Sequence, residues 1–415
     1  MNILLVSSSF RGGGITSYAH EVVRSFSSQY TISIMIGDDT TLPFDPDKYK
    51  IYRVESENCS VDNARYTINL INKEIRPDVI LNSNSKLLSL ITPYLNNNIR
   101  VITVSHSLRY NEADIAGLNS QYADSIIALS HFNKEYLCKQ FKIIDHSKVK
   151  VVYNFVEEYP NAQIIRERKK ENRILKIVFA GGTSAPKRPE LILTIAQKLL
   201  RTDRALEFYF MPNNTPTHQK LQPYNSVAQL FPRDARMIFT GRIPREEAEK
   251  ISSEANIFLV PSRREGCPMA MIEAMRVGCI IITSDYKNAC QEMVIHGESG
   301  LIIPHDTPDN FLSTIIDIID NHSNYKSMYE KCYERYRAMF SFSPWYDQMN
   351  HIIQSHDYAH TDRLSAFDEK IYKKDLSWIG HRMSYNKYHM LVFETLKSAI
   401  PLYFKYIFKE IQYVQ

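Results

Sequence analysis

The chain has 415 residues, 44% of them hydrophobic and 23% charged, with a formal net charge of +4. That length exceeds one ordinary hydrophobic core and predicts two domains, and the composition reads as soluble and globular. A charge this small, without a zinc-finger, helix-turn-helix or RNP pattern, excludes an electrostatic case for nucleic acid.

The chain opens on "NILLVSSS", a short continuous apolar run ending in small residues. "RGGGITSYAHEVVRSF" follows as a glycine loop and a helical pattern. Further short apolar runs alternate with helical stretches: "TISIMIG", "DVILNSN", "RVITVSH", "SIIALS" and "KVKVVYN". This rhythm predicts parallel strands in a doubly wound α/β domain. Around Glu157–Glu171 the composition turns charged and reads as a linker. A second series begins at "LKIVFAGG" and continues through "LEFYFM", "ARMIFTG", "NIFLVPS", "CIIITSD" and "GLIIP". Helical patterns then run from "TPDNFLSTIIDIIDN", and "SFSPWYDQMNHIIQS" reads as a late helix started by Ser343 and Pro344. The expected division is 1–160 for an N-terminal Rossmann-like domain and 161–340 for a second one. Residues 341–415 are expected to form C-terminal helices. In open α/β sheets, ligands bind beyond the carboxyl ends of the strands, so two such domains are expected to face across a cleft.

"SRREGCPMAMIEAMRVGCIIITSD" carries two acids, Glu265 and Glu273. Pro268 suits the first turn of a helix. The amides of Met269, Ala270 and Met271 would then point from its N-terminus, where a diphosphate is readily bound. Glu273 lies about 6 Å up the axis, within reach of a ribose. Glu265, before the helix, is placed to meet a sugar beyond the phosphates. Taken bare, E-x7-E is more often an amphipathic helix with solvent-facing acids.

In its context this stretch resembles the signature of retaining glycosyltransferases of family 4. "FAGGTSAPKRPELIL", "VSHSL", "YADSIIALSHFNKEYL", "KVKVVYNFVE" and "IHGESGLIIPHD" resemble further family segments, in the same order, over roughly residues 1–330. The resemblance implies the two-domain GT-B fold, with residues 1–160 on the acceptor side and 161–340 on the donor side. Its implied activity is a retaining, metal-independent hexosyltransferase that uses a nucleotide-diphosphate sugar as substrate, with no cofactor. It implies that Glu265, His106 and Lys187 act at the reacting sugar and its leaving group. It places Gly13, Gly14, Lys187, Arg188, Gly266, Met269, Ala270 and Glu273 against the donor, with Glu273 on the ribose. Lys187 sits six residues after Gly181, where the family has its diphosphate lysine. A compact cation there neutralises the departing diphosphate. Two positions depart from the family. Gly182 stands where an arginine is common, leaving Arg188 or Arg242 as substitutes. Glu-Gly-Cys-Pro replaces E-G-F-G, so Pro268 removes an amide donor.

The resemblance also implies bacterial surface-polysaccharide synthesis (O-antigen or capsule) on a glycan or lipid-linked acceptor, in the cytoplasm at the inner face of the membrane. The alternative is a catalytically silent GT-B homologue serving as a partner or scaffold. A nicotinamide oxidoreductase is disfavoured, because "FRGGGITSYA" lacks the G-x-G-x-x-G spacing.

Other patterns point away from chemistry. "FDPDKY" contains D-x-D, but Pro46 and the absence of a leading strand make it a turn. His351, His356 and His360 lack zinc-ligand spacing. Six scattered cysteines without C-x-x-C read as reduced thiols of a cytosolic protein. "MNILLVSSSF" lacks a basic n-region, so no signal peptide is expected. No apolar run reaches the ~18 residues of a spanning helix. Pro401 should break any helix near Ile400. Beyond it, Leu402, Phe404, Ile407, Phe408 and Ile411 with Lys405 and Lys409 make an apolar face with interleaved cations. Residues 402–415 are therefore expected to contact a membrane peripherally, or to pack on protein.

Overall fold

The computed structural model describes residues 1–7, 14–37, 44–55, 58–106, 110–141, 145–182, 185–212, 234–241, 243–355 and 361–382. Two parallel sheets organise them. Strands β1 (Asn2–Ser7), β2 (Thr31–Ile36), β3 (Lys50–Arg53), β4 (Val79–Ser83), β5 (Arg100–Ser105), β6 (Ser125–Ala128) and β7 (Val149–Val151) form the first, in the order β3-β2-β1-β4-β5-β6-β7. The second is β10-β9-β8-β11-β12-β13, built from β8 (Leu175–Gly181), β9 (Leu206–Pro212), β10 (Met237–Phe239), β11 (Ile257–Val260), β12 (Ile280–Ser284) and β13 (Gly300–Ile303). Strands covered on both faces have no polar side to alternate with, which is why the sequence shows them as unbroken apolar runs. Leu4, Leu5, Ile80, Leu81, Ile177, Phe208, Ile257 and Ile280–Ile282 are at most 1% exposed.

Every apolar run singled out in the sequence is a strand, as expected of a doubly wound architecture. β3 was not foreseen. Its sequence, Lys-Ile-Tyr-Arg, has no buried residue, because an edge strand needs only its backbone pairing to β2.

The charged stretch expected to be a linker is corrected by the structure. Residues Ala162–Glu171 form a helix, α3, following α1 (Gly14–Phe26) and α2 (Val61–Asn69) among those named here. Its Arg166 and Lys169 are buried. Lys169 Nζ donates to the Val277 carbonyl at 2.9 Å and to Cys279 Sγ at 3.2 Å. Arg166 pairs with Glu330 at 3.0 Å and lies 3.6 Å over the Tyr333 ring. These are charged side chains used as packing material, and composition alone cannot distinguish that from a solvated tether.

The chain divides into two compact units that are interleaved in sequence: 1–126, 140–149 and 357–415 in one, 127–139 and 150–356 in the other. The expected cuts at 160 and 340 are contiguous and differ from this. The late helix starts at Phe342, so Pro344 falls within its first turn and Ser341 is its N-cap. Residues 361–382 then belong to the first unit and include a helix over 369–382. Tyr372 there is fully buried, and its hydroxyl donates to the Cys59 carbonyl at 3.0 Å. Residues 402–415 lie outside the described residues. Among the described residues no helix is long and apolar enough to cross a membrane.

Candidate functional site

Each sheet has one place where the strand order reverses. In the first it lies between β1 and β4, and in the second between β8 and β11. Loops leaving the carboxyl ends of such neighbouring strands diverge and leave a crevice. The candidate residues gather at these points.

In the second unit, β8 runs to Gly181 and a short turn, Ala185–Lys187, follows it. β11 leads into the loop carrying Glu265. The two loops are stitched together, with the Arg263 N–H donating to the Pro186 carbonyl at 2.9 Å. That contact sets Lys187 beside Glu265, and the lysine Nζ hydrogen-bonds Glu265 Oε1. The pair is asymmetric: the Glu265 side chain is 8% exposed and that of Lys187 31%. A carboxylate this buried is costly without a partner, and the lysine supplies one. The loop is anchored from a third side. Asn288 Nδ2 donates to the Ser262 carbonyl at 2.8 Å, and the Ala289 N–H to the Glu265 carbonyl at 3.3 Å. Gly266 is buried within it.

Helices α4 (Pro189–Leu200), α5 (Arg245–Glu254) and α6 (Met269–Met275) flank this edge. Pro268 is the N-cap of α6 and not its first helical residue. The Met271 amide, expected to be free, donates to the Pro268 carbonyl at 3.0 Å. Met269 and Ala270, both half-buried, are the two positions ahead of it whose N–H groups precede any intrahelical acceptor. Glu273 sits further along α6, half-buried, with Arg245 Nη2 3.6 Å from its carboxylate and Arg245 itself 70% exposed. Burial pushes the Glu273 carboxyl above its ordinary value, while Arg245 and Arg276 oppose the rise.

Arg188, a candidate for the missing family arginine, is turned into the protein. It is 6% exposed, its guanidinium pairs with Asp306, and Nη2 donates to the Asp306 carbonyl at 3.3 Å. Ser284 Oγ donates to the same carboxylate at 2.6 Å. The Arg188 backbone is left-handed at φ 56°, capping α4. Arg242, the other candidate, lies outside the described residues, as does Gly13. Sequence reasoning missed Asp306 and Ser284, although Asp306 closes the quoted "IHGESGLIIPHD" segment.

In the first unit, His106 follows β5 and Ser83 ends β4. Ser83 Oγ lies 2.8 Å from His106 Nε2, and the Tyr18 ring meets the imidazole edge-on at 5.0 Å. Burial lowers the His106 pKa to about 4, so the ring is neutral at physiological pH. Gly14 is exposed at the start of α1, with nothing near a built Cβ. Ser83 was not anticipated; a serine ending a strand carries no signal until the strand order makes it His106's neighbour. Within the D-x-D stretch, Asp45 Oδ1 accepts the Asp47 N–H at 3.0 Å, which is the turn expected there.

Residues 12–158 match the family described as Glycosyltransferase Family 4, and residues 175–321 match Glycosyl transferases group 1. The putative glycosyltransferase YtcC of Bacillus subtilis is 23% identical over 372 residues, covering 83% of this chain and 88% of its own. The structure of Anabaena Alr3699/HepE in complex with UDP-glucose superposes with a TM-score of 0.67 at 12% identity, covering 85% of this chain and 99% of that one. The lipopolysaccharide outer core galactosyltransferase WaaB gives a TM-score of 0.66 at 16% identity, with coverage of 85% and 99%. With most of its length matched by these two families and its paired parallel sheets shared with such structures, the chain belongs to the GT-B glycosyltransferases of family 4.

Proposed function

We propose that this glycosyltransferase moves a sugar from a nucleotide-diphosphate donor to a glycan or lipid-linked glycan with retention of configuration and without a metal ion. The observation that carries the reading is the Lys187–Glu265 pair at the strand-order reversal of the second sheet. Lys187 is the more exposed partner. On donor binding it exchanges Glu265 for the diphosphate and stabilises the charge that develops there as the glycosidic bond breaks. Glu265, released from its cation, hydrogen-bonds the donor sugar. Glu273 takes the ribose, displacing the solvent-exposed Arg245. Gly266, Met269 and Ala270 offer backbone to the sugar and phosphates. Gly13 and Gly14 allow close approach of the backbone in the first unit. For His106 the family resemblance implies a hydrogen bond to the donor sugar. Ser83 holds its Nε2, which leaves Nδ1 for the ligand. Arg188 is assigned to support the site through Asp306, with no direct diphosphate contact.

Retention does not follow from two carboxylates. A retaining hydrolase sets them ~5 Å apart across the bond, whereas Glu273 is assigned to the ribose. Glu265, or front-face attack guided by the leaving phosphate, is the route that remains. A surface-polysaccharide role is supported by likeness to a lipopolysaccharide galactosyltransferase. Incubation with a panel of nucleotide sugars, mass spectrometry of products and NMR of the new linkage test the reading. A retained anomer with EDTA-insensitive turnover is expected. Inversion, or inactivation by EDTA that a divalent ion reverses, overturns it.

A further inference from the structure

The first unit holds a second concavity, of about 510 Å³, away from the candidate residues of that unit. It is lined by Asn69, Asn72, Asn96 and Asn97, with Tyr94 and Phe367 as its aromatic side. Asn69 and Asn72 precede β4, and Asn96 and Asn97 precede β5. The concavity therefore lies at the amino ends of these strands, whereas Ser83 and His106 lie at their carboxyl ends. The six residues of β5 separate the two edges by about 20 Å.

Its rim is held in place. Asn72 Oδ1 accepts the Asn96 N–H at 2.9 Å, Asn72 Nδ2 donates to the Tyr94 carbonyl at 3.1 Å, and Asn97 Oδ1 accepts the Arg363 N–H at 3.0 Å. Asn69 and Asn96 are exposed at the edge, and Phe367 is half-buried. Asn72 uses both ends of its carboxamide on this rim, so the exposed Asn69 and Asn96 carry the side-by-side donor and acceptor that match vicinal hydroxyls, and the half-buried Phe367 beside them adds apolar surface for the C–H face of a pyranose.

The charges argue against an anion. Arg363 Nη1 donates to the Asn96 and Ile99 carbonyls at 2.7 and 2.6 Å, and Nη2 to the Tyr122 carbonyl at 3.1 Å. Arg65 pairs with Glu369 at 3.1 Å and lies over the Phe367 ring. Both cations among the lining residues are thus committed. The polar rim equally disfavours a purely apolar ligand. We propose that this concavity is an accessory site for a neutral oligosaccharide segment, one that binds the glycan acceptor remote from its reacting end. The proposal rests on the reading of the chain as acting on glycans.

Ala366 and Ser365 line the concavity and are exposed, so a bulky side chain at either fills it without disturbing the core. The test is calorimetry and saturation-transfer NMR on the full chain. The probes are neutral oligosaccharides of two to six units (α- and β-linked glucans, galactans and mannans). They are run against the unaltered protein, Ala366→Trp, Ser365→Phe and Glu273→Ala, with UDP-glucose binding measured in parallel. Binding of at least one oligosaccharide, weakened roughly tenfold or more by Ala366→Trp or Ser365→Phe and unchanged by Glu273→Ala, is expected. No binding by any probe, or binding lost in Glu273→Ala and kept in both filled variants, overturns the accessory site. UDP-glucose binding that survives in the filled variants shows that they are folded. Its absence from the unaltered protein counts against UDP-glucose as donor and leaves the oligosaccharide result to stand on its own.

Discussion

Lys187 pairs with the buried Glu265, so in the proposed mechanism the lysine both covers a carboxylate and supplies the cation for the leaving group. Lys187→Ala is expected to lower turnover by roughly 10²–10³ while near-UV circular dichroism stays unchanged. Near-normal turnover refutes the role. Pairing it with Glu265→Gln separates the loss of positive charge from the stranding of an acid. Glu273→Ala is expected to weaken donor binding by about 1.5–3 kcal/mol, the cost of hydrogen bonds to a charged acceptor. Calorimetry with the donor found in the panel checks it. Because burial raises the Glu273 pKa, donor affinity should decline on acidification earlier than an ordinary carboxylate would predict. His106 sends a separate signal. Its folded pKa of about 4 lies below the ordinary 6.5, so between these values the unfolded chain binds more protons than the folded one. Stability then rises with pH across that window, by at most about 3 kcal/mol. Chemical denaturation of His106→Gln from pH 4 to 7 should show a flatter profile than the unaltered protein. Identical profiles exclude His106 as the source.

The element that positions Glu273 is short, and its neighbours hold it. Seven residues of α6 end at Met275. Gly278 then turns the chain at φ 70°, and a Cβ there would collide with the Tyr329 carbonyl and come within 2.7 Å of Arg166 Cδ. Tyr329 belongs to α7 (His322–Met339) and Arg166 to α3. Lys169 of α3 donates to the Val277 carbonyl just before this turn. The end of the site helix is thus packed between two helices at a point where only glycine fits. Gly278→Ala is expected to cost more than about 2 kcal/mol, from left-handed strain plus the clash. Thermal melting measures this. Donor affinity should fall as well, because α6 cannot keep its seat when its last turn moves. A variant that melts normally and binds normally shows that the packing yields.

At the scale of the molecule, the first unit is completed by chain that comes after the second. Arg363 is 6% exposed and donates to carbonyls of Asn96, Ile99 and Tyr122. Burial lowers its pKa to about 10, which still leaves it charged. Ending the chain after Ser355 removes this arginine and Tyr372. It should lower the melting temperature of the first unit and expose apolar surface to a hydrophobic dye. Ending it after Pro401 removes only residues 402–415 and is expected to leave melting unchanged. That shorter chain should still turn over donor but lose flotation with anionic liposomes, in a salt-sensitive way. Equal absence of flotation by full-length and shortened chains rejects membrane contact. Unfolding on removal of 402–415 makes the tail part of the packed protein.

The sequence by itself determined the fold class. Strands buried on both faces must be continuous apolar runs, and alternation with helical periods makes them parallel, so twelve strands stand where runs such as "LKIVFAGG" and "CIIITSD" predicted. The residues of the candidate site were legible only through spacing and family likeness, because a side chain's role depends on what it meets. Tertiary structure decided the rest. Lys187 meets Glu265 across 78 positions only because β8 and β11 are neighbours. Ser83 reaches His106 because β4 lies beside β5. Arg188 is spent on Asp306, and a charged stretch that reads as a tether buries Lys169 under the site helix. Local patterning records which face of an element avoids water. It does not record which partner a charge will find, and that is fixed only by strand order and by the chain's return to its first unit.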